Sequence, residues 1–127
     1  MEQSRSILYI EDNPDNRLLV RRILLASGFQ LAEAPDGHSG IKLAEEIKPD
    51  LILMDINLPE VDGYSLTARL KANPALARIP VIALTANVMK GDREKSIAAG
   101  CDGYIQKPVD VDALPRDLDR FIAQARR

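Results

Sequence analysis

A single cysteine, Cys101, stands among the 127 residues, so no internal disulfide can form. No charged-then-apolar signal segment opens the chain, and the expected compartment is therefore a reducing cytoplasm. No apolar run approaches the ~20 residues that a membrane-spanning helix needs. Charge of one sign is also scarce: 17 Lys and Arg against 19 Asp and Glu leave a net charge of −2. That balance carries no footprint of a nucleic-acid partner, and the closing Arg126-Arg127 pair is too short to act as a basic tail. There is no Gly-x-Gly-x-x-Gly and no Walker-type loop, so a nucleotide cofactor has no support. Linkers, low-complexity tracts and repeats are missing too. With 46% hydrophobic and 28% charged residues, the expectation is one soluble domain over residues 1–127.

What is present is an alternation of short apolar runs with helical stretches, five times over. Residues 6–10, Ser-Ile-Leu-Tyr-Ile, read as a first strand. Asn13-Pro14 supplies a helix cap and a proline suited to the first helical position. Leu19, Ile23 and Ala26, with Val20 and Leu24 alongside, give that helix an apolar face, and Gly28 stops it. Residues 29–34 alternate like a strand at a sheet edge. Asp36-Gly37 leads into a second helix on Ile41, Ala44 and Ile47, ended by Pro49. Residues 50–56 hold an unbroken apolar run, as in a central strand covered on both faces.

A third helix over 63–72 rests on Leu66 and Leu70, and a fourth strand follows over 79–84. The fourth helix, 88–99, is poorly amphipathic and carries Gly91, which costs about 1 kcal/mol in a helix interior. A fifth strand over 103–106 precedes Lys107-Pro108, and a fifth helix carries Leu114, Leu118, Phe121 and Ile122. Pro115 is incompatible with a helix begun at Asp110, so the regular helix should start near Leu114. Strict βα alternation implies a parallel sheet with helices on both faces. Five strands predict an α/β, flavodoxin-like sandwich in the order 2-1-3-4-5, with its ligand crevice between strands 1 and 3.

Those two strands end in acids, Glu11-Asp12 and Asp55. Three carboxylates around one pocket repel one another, by about 4 kcal/mol per pair at ~4 Å and an effective dielectric near 20. Such a cluster raises its own pKa values or recruits a cation, and hard oxygen donors suit Mg2+. Strands 4 and 5 add Thr85 and Lys107 to the same rim. Acids, a hydroxyl and an ammonium around a metal suit phosphoryl transfer. Asp55 is the candidate nucleophile, because a carboxylate can form an aspartyl-phosphate. Lys107 and Thr85 would each serve a transferring oxygen. The lone histidine, His38, and Cys101 read as a surface residue and a packing residue, respectively.

In combination these residues resemble the receiver domain of two-component response regulators: Glu11-Asp12, Asp55 with Pro59 and Gly63, Thr85-Ala86, then Tyr104 and Lys107-Pro108. The resemblance runs from Ile7 to about Ile122. It implies that Asp55 takes a phosphoryl group from a histidine kinase or histidine phosphotransfer protein. It implies Mg2+ held by Asp12, Asp55 and the backbone carbonyl of Asn57, with Glu11 acting through water. It further implies a cis bond before Pro108 and a switch pair of Thr85 and Tyr104.

A haloacid-dehalogenase-type phosphohydrolase also uses a strand-end Asp, but wants a second Asp two residues on. Here that residue is Asn57, which cannot shuttle a proton. The expected role is thus a receiver without an output domain, signalling through a phosphorylation-dependent protein-binding surface or a phosphorelay. The expected effector face spans the fourth helix, fifth strand and fifth helix.

Overall fold

Why the chain folds into layers is visible in its third strand. In the computed structural model, which describes residues 5–56, 63–85 and 100–126, β3 (Leu51–Asp55) is buried along its whole length. A strand with no polar face must be covered on both sides, and helices do so here. It pairs in parallel with β1 (Ser6–Ile10) on one side and β4 (Val81–Thr85) on the other. The edges are β2 (Gln30–Ala34), which pairs with β1, and β5 (Gly103–Gln106), which pairs with β4. The order is β2-β1-β3-β4-β5, as the alternation predicts.

Two apolar clusters lie on opposite faces of this sheet. One joins Ile7, Tyr9, Leu53, Ile82 and Leu84 to α1 (Pro14–Ala26) and α4 (Ala113–Ala125). The other joins Leu8, Ile10, Ile52, Met54 and Ala83 to α2 (Gly37–Ile47) and α3 (Gly63–Ala72). Odd and even strand residues therefore serve different helices, a direct result of the two-residue period of the strand.

Local sequence sets the helix ends. Asn13 Oδ1 accepts from the backbone N–H groups of Asp15 and Asn16, and Pro14 opens α1. Gly28 follows its end at φ +85°, a conformation that a side chain would oppose. The helix α1 rests on Val20, Ile23 and Leu24, whereas Leu19, expected in the core, is 48% exposed and Ala26 is exposed as well. The apolar residues of this helix are too numerous for its one buried stripe. Ile47 of α2 likewise faces outward.

Asp36 caps α2 through Ser39 N, and Asp110 accepts from Asp112 N and Ala113 N ahead of α4. Pro115 falls in the first turn of α4, where its missing N–H removes no intrahelical bond. The expected helix over 88–99 lies outside the described residues, so α4 corresponds to the fifth helix expected from the sequence. No helix among the described residues is long and apolar enough to cross a membrane.

At the rim holding the strand amino ends, Arg5 donates two bonds to Asp119 of α4, at 2.8 and 2.7 Å, and one to Ser27 O. Its guanidinium also stacks 4.0 Å from the Phe29 ring centre. These contacts fix α1 and α4 against β1. The opposite rim is left to the acids.

Candidate functional site

Strand alternation aims the site. Tyr9 in β1, Leu53 in β3 and Ile105 in β5 all face the α1–α4 side. Two residues further along each strand come Glu11, Asp55 and Lys107, which by the same period point to that side. In contrast, Val81 and Ala83 face the α2–α3 side, as does Tyr104. Thr85 continues that alternation, so it lies on the same face of the sheet as Tyr104.

The result is a tight electrostatic knot. Glu11 and Asp55 are buried and Asp12 is exposed, yet one carboxylate oxygen of each lies within 4.8 Å of the others. Lys107 Nζ donates to Asp55 Oδ2 at 3.1 Å and stands 3.8 Å from Glu11 Oε1. Glu11 Oε1 accepts from the Tyr9 hydroxyl at 3.0 Å and from Asn16 Nδ2 at 3.4 Å. Its other oxygen accepts from the Asn13 N–H at 3.3 Å.

Burial raises the Glu11 carboxyl to about 7, and its hydrogen bond and charge interaction with Asp55 push the same way; the Asn13 N–H and Lys107 oppose them. Burial, reinforced by Glu11, also drives the Tyr9 phenol upward. Tyr9 therefore stays protonated, and its hydroxyl donates to Glu11. Among the described residues, one ammonium facing three acids leaves a surplus of negative charge. Oxygen donors with that surplus fit a small divalent cation, which need not be caged by protein alone.

Backbone contacts hold the loops that carry these groups. Arg17 Nη1 donates to the carbonyls of Glu11 and Asp12, at 2.8 and 3.2 Å. Glu11 N donates to Ala34 O of β2 at 3.0 Å, and Lys107 N donates to Thr85 O at 2.7 Å. The Lys107–Pro108 bond is cis, as the family pattern implies. A cavity of about 300 Å³ opens beside Lys107, lined by Tyr9, Asn16, Leu19, Val20 and Val109 among others.

Glu11, Asp12, Asp55 and Lys107 converge; Thr85 is buried at the end of β4; Tyr104 is half-buried one strand over. Asn57 lies outside the described residues, as does Pro59. His38 is exposed on α2. Cys101 packs against Thr67, 3.5 Å from its hydroxyl, and burial pushes its thiol up, away from reactivity.

Sequence reasoning missed Tyr9, Asn16 and Arg17. Tyr9 was open to inference: it precedes Glu11 by two residues in one strand, and so shares its face. Asn16 and Arg17 sit in the first turn of α1, directly after the acids.

Residues 7–119 match the family described as the response regulator receiver domain. This chain belongs to that family. The polar-differentiation response regulator DivK of Brucella anthropi is 42% identical over 121 residues, covering 95% of this chain and 98% of DivK. DivK of Brucella ovis is equally similar over 122 residues. Among solved structures, the receiver domain of the sensor histidine kinase PA1611 of Pseudomonas aeruginosa PAO1 is 40% identical with a TM-score of 0.88. It covers 95% of this chain and 99% of its own, and it holds a magnesium ion in its active site cleft. The signal receiver domain of a histidine kinase of Syntrophus aciditrophicus, 33% identical with a TM-score of 0.88, covers 98% of this chain and 94% of its own. The receiver is a phosphoacceptor signalling module, not a phosphohydrolase.

Proposed function

We propose that Asp55 of this receiver accepts the phosphoryl group, from a histidine kinase or histidine phosphotransfer protein, beside a bound Mg2+. The observation that carries this reading is the Asp55 carboxylate itself. It is buried at the carboxyl end of the central strand, bonded to Lys107 at 3.1 Å and grouped with Glu11 and Asp12. An Asp55 oxygen attacks phosphorus, a P–O bond forms, and the P–N bond to the donor imidazole breaks. The departing nitrogen takes up a proton. Lys107 follows the charge from the carboxylate onto a phosphoryl oxygen, and the Thr85 hydroxyl donates to another.

Asp12, Asp55 and the carbonyl of Asn57 would hold Mg2+, with Glu11 acting through water. The metal supplies positive charge to the transferring oxygens. Magnesium in the active site cleft of the Pseudomonas relative supports a metal at this site. The donor must reach the rim beside the first turns of α1, where Leu18 and Leu19 leave apolar surface exposed. The chain's own catalysis is confined to its phosphorylation and dephosphorylation, and its setting is the cytoplasm.

Output follows from the face that Thr85 and Tyr104 share. A phosphoryl group adds charge and strong acceptors, drawing the Thr85 hydroxyl toward Asp55 and freeing space for Tyr104. A downstream protein then binds across residues 88–99, β5 and α4.

The test is phosphoryl uptake from a phosphorylated donor, followed by intact-mass spectrometry with Mg2+ and with a chelator. Uptake should need the metal. Equal uptake in its absence would remove Mg2+ from the account.

A further inference from the structure

Tyr9 lies in the middle of β1, fully buried, across from Glu33 of β2 and Leu53 of β3. Its ring belongs to an otherwise apolar cluster. A phenol placed there needs a partner for its hydroxyl, since a buried polar group without one is costly. That partner is Glu11 Oε1, at 3.0 Å.

The consequence reaches Asp55. Glu11 and Asp55 share the Lys107 ammonium, which stands nearer to Asp55, at 3.1 Å against 3.8 Å. Glu11 can give way because other donors already serve it: Tyr9 and Asn16 on one oxygen, the Asn13 N–H on the other. On Oε1 the Tyr9 hydroxyl lies closer, at 3.0 Å, than Asn16 Nδ2 at 3.4 Å or Lys107 Nζ at 3.8 Å.

We infer that Tyr9 is a positioning residue for the acid site: its hydroxyl anchors Glu11 within the carboxylate cluster and so leaves Lys107 to Asp55. The inference rests on the magnesium reading above. A phenylalanine at this position keeps the ring and its packing but removes the donor. Glu11 Oε1 then turns to the nearest remaining cation, Lys107. That movement draws the ammonium off Asp55 and the Glu11 carboxylate away from a metal.

The experiment is a Mg2+ titration followed by amide NMR shifts at fixed pH, on four proteins: parent, Tyr9→Phe, Glu11→Gln and the double variant. Tyr9→Phe should weaken Mg2+ binding by about tenfold, the lower end of what losing a ligand's outer hydrogen bond costs. On the Glu11→Gln background the same change should add nothing, because the hydroxyl acts through the Glu11 carboxylate. A role in packing alone would lower the melting temperature of Tyr9→Phe and leave its Mg2+ affinity at the parent value, which overturns the inference. Equal weakening on both backgrounds overturns it too. A parent protein that shows no response to Mg2+ removes the metal reading, a result distinct from a responsive parent with an unaffected variant.

Discussion

Replacing Glu11 by glutamine should stabilise the metal-free protein, and only above a particular pH. Glu11 is buried with its carboxyl raised from 4.5 to about 7. A carboxyl raised in the folded state holds its proton more tightly there than in the unfolded chain. Its contribution is therefore fully present below the unfolded value and is lost as pH climbs through the folded one. The window runs from about 4.5 to about 7. Each tenfold gain in proton affinity on folding corresponds to ~1.36 kcal/mol, so the loss between pH 5 and pH 8 reaches at most about 2–3 kcal/mol. Water reaching the cluster reduces that figure, so we expect about 1–2 kcal/mol, or roughly 3–8 °C in melting temperature for a domain of this size.

The assay is thermal unfolding by circular dichroism in a chelator, from pH 5 to pH 8. The parent should lose stability across the window, whereas Glu11→Gln, which cannot ionise, should hold nearly level and melt higher at pH 8. Mg2+ should restore the parent most at pH 8, because the metal competes with the proton for the same oxygens. Parallel curves for parent and variant would refute the electrostatic reading of this site.

Lys107→Ala leaves the Asp55 and Glu11 carboxylates without their ammonium; it should destabilise the metal-free protein by about 1–3 kcal/mol at pH 8 and far less at pH 5, checked by the same unfolding curves. Thr85→Ala should still take up a phosphoryl group, more slowly for want of one donor to the transferring oxygens, yet show smaller amide shifts around Tyr104 when beryllofluoride is added, as read by NMR. Gly103→Ala would drive a methyl into the edge of the Phe121 ring, so denaturant unfolding should register a loss of about 1–3 kcal/mol.

How far the sequence foretold the structure depends on which physical signal each residue carries. The unbroken run Leu51 to Met54 and the punctuation at Asn13-Pro14, Gly28 and Asp36-Gly37 act locally, and they delivered the strand order and most helix ends. The convergence of Glu11, Asp12 and Asp55 was legible because a parallel sheet brings its strand ends to one rim. Leu19 was misjudged because α1 carries more apolar residues than one stripe can bury, and choosing the stripe takes the packed sheet. The donors on Glu11 came from Tyr9, Asn13 and Asn16, whose side-chain or backbone directions depend on where α1 enters. Only Tyr9 carried a clear signal, through its two-residue spacing from Glu11.

The central claim is tested most directly by locating the phosphoryl group. The receiver is incubated with Mg2+ and a phosphorylated histidine donor, then trapped and digested for peptide mass spectrometry beside Asp55→Asn. The account predicts one phosphoryl group per chain, on Asp55, in an acyl-phosphate bond cleaved by hydroxylamine, and none on a folded Asp55→Asn protein. Stable phosphate on that variant, or a modified residue other than Asp55 in the parent, would contradict it.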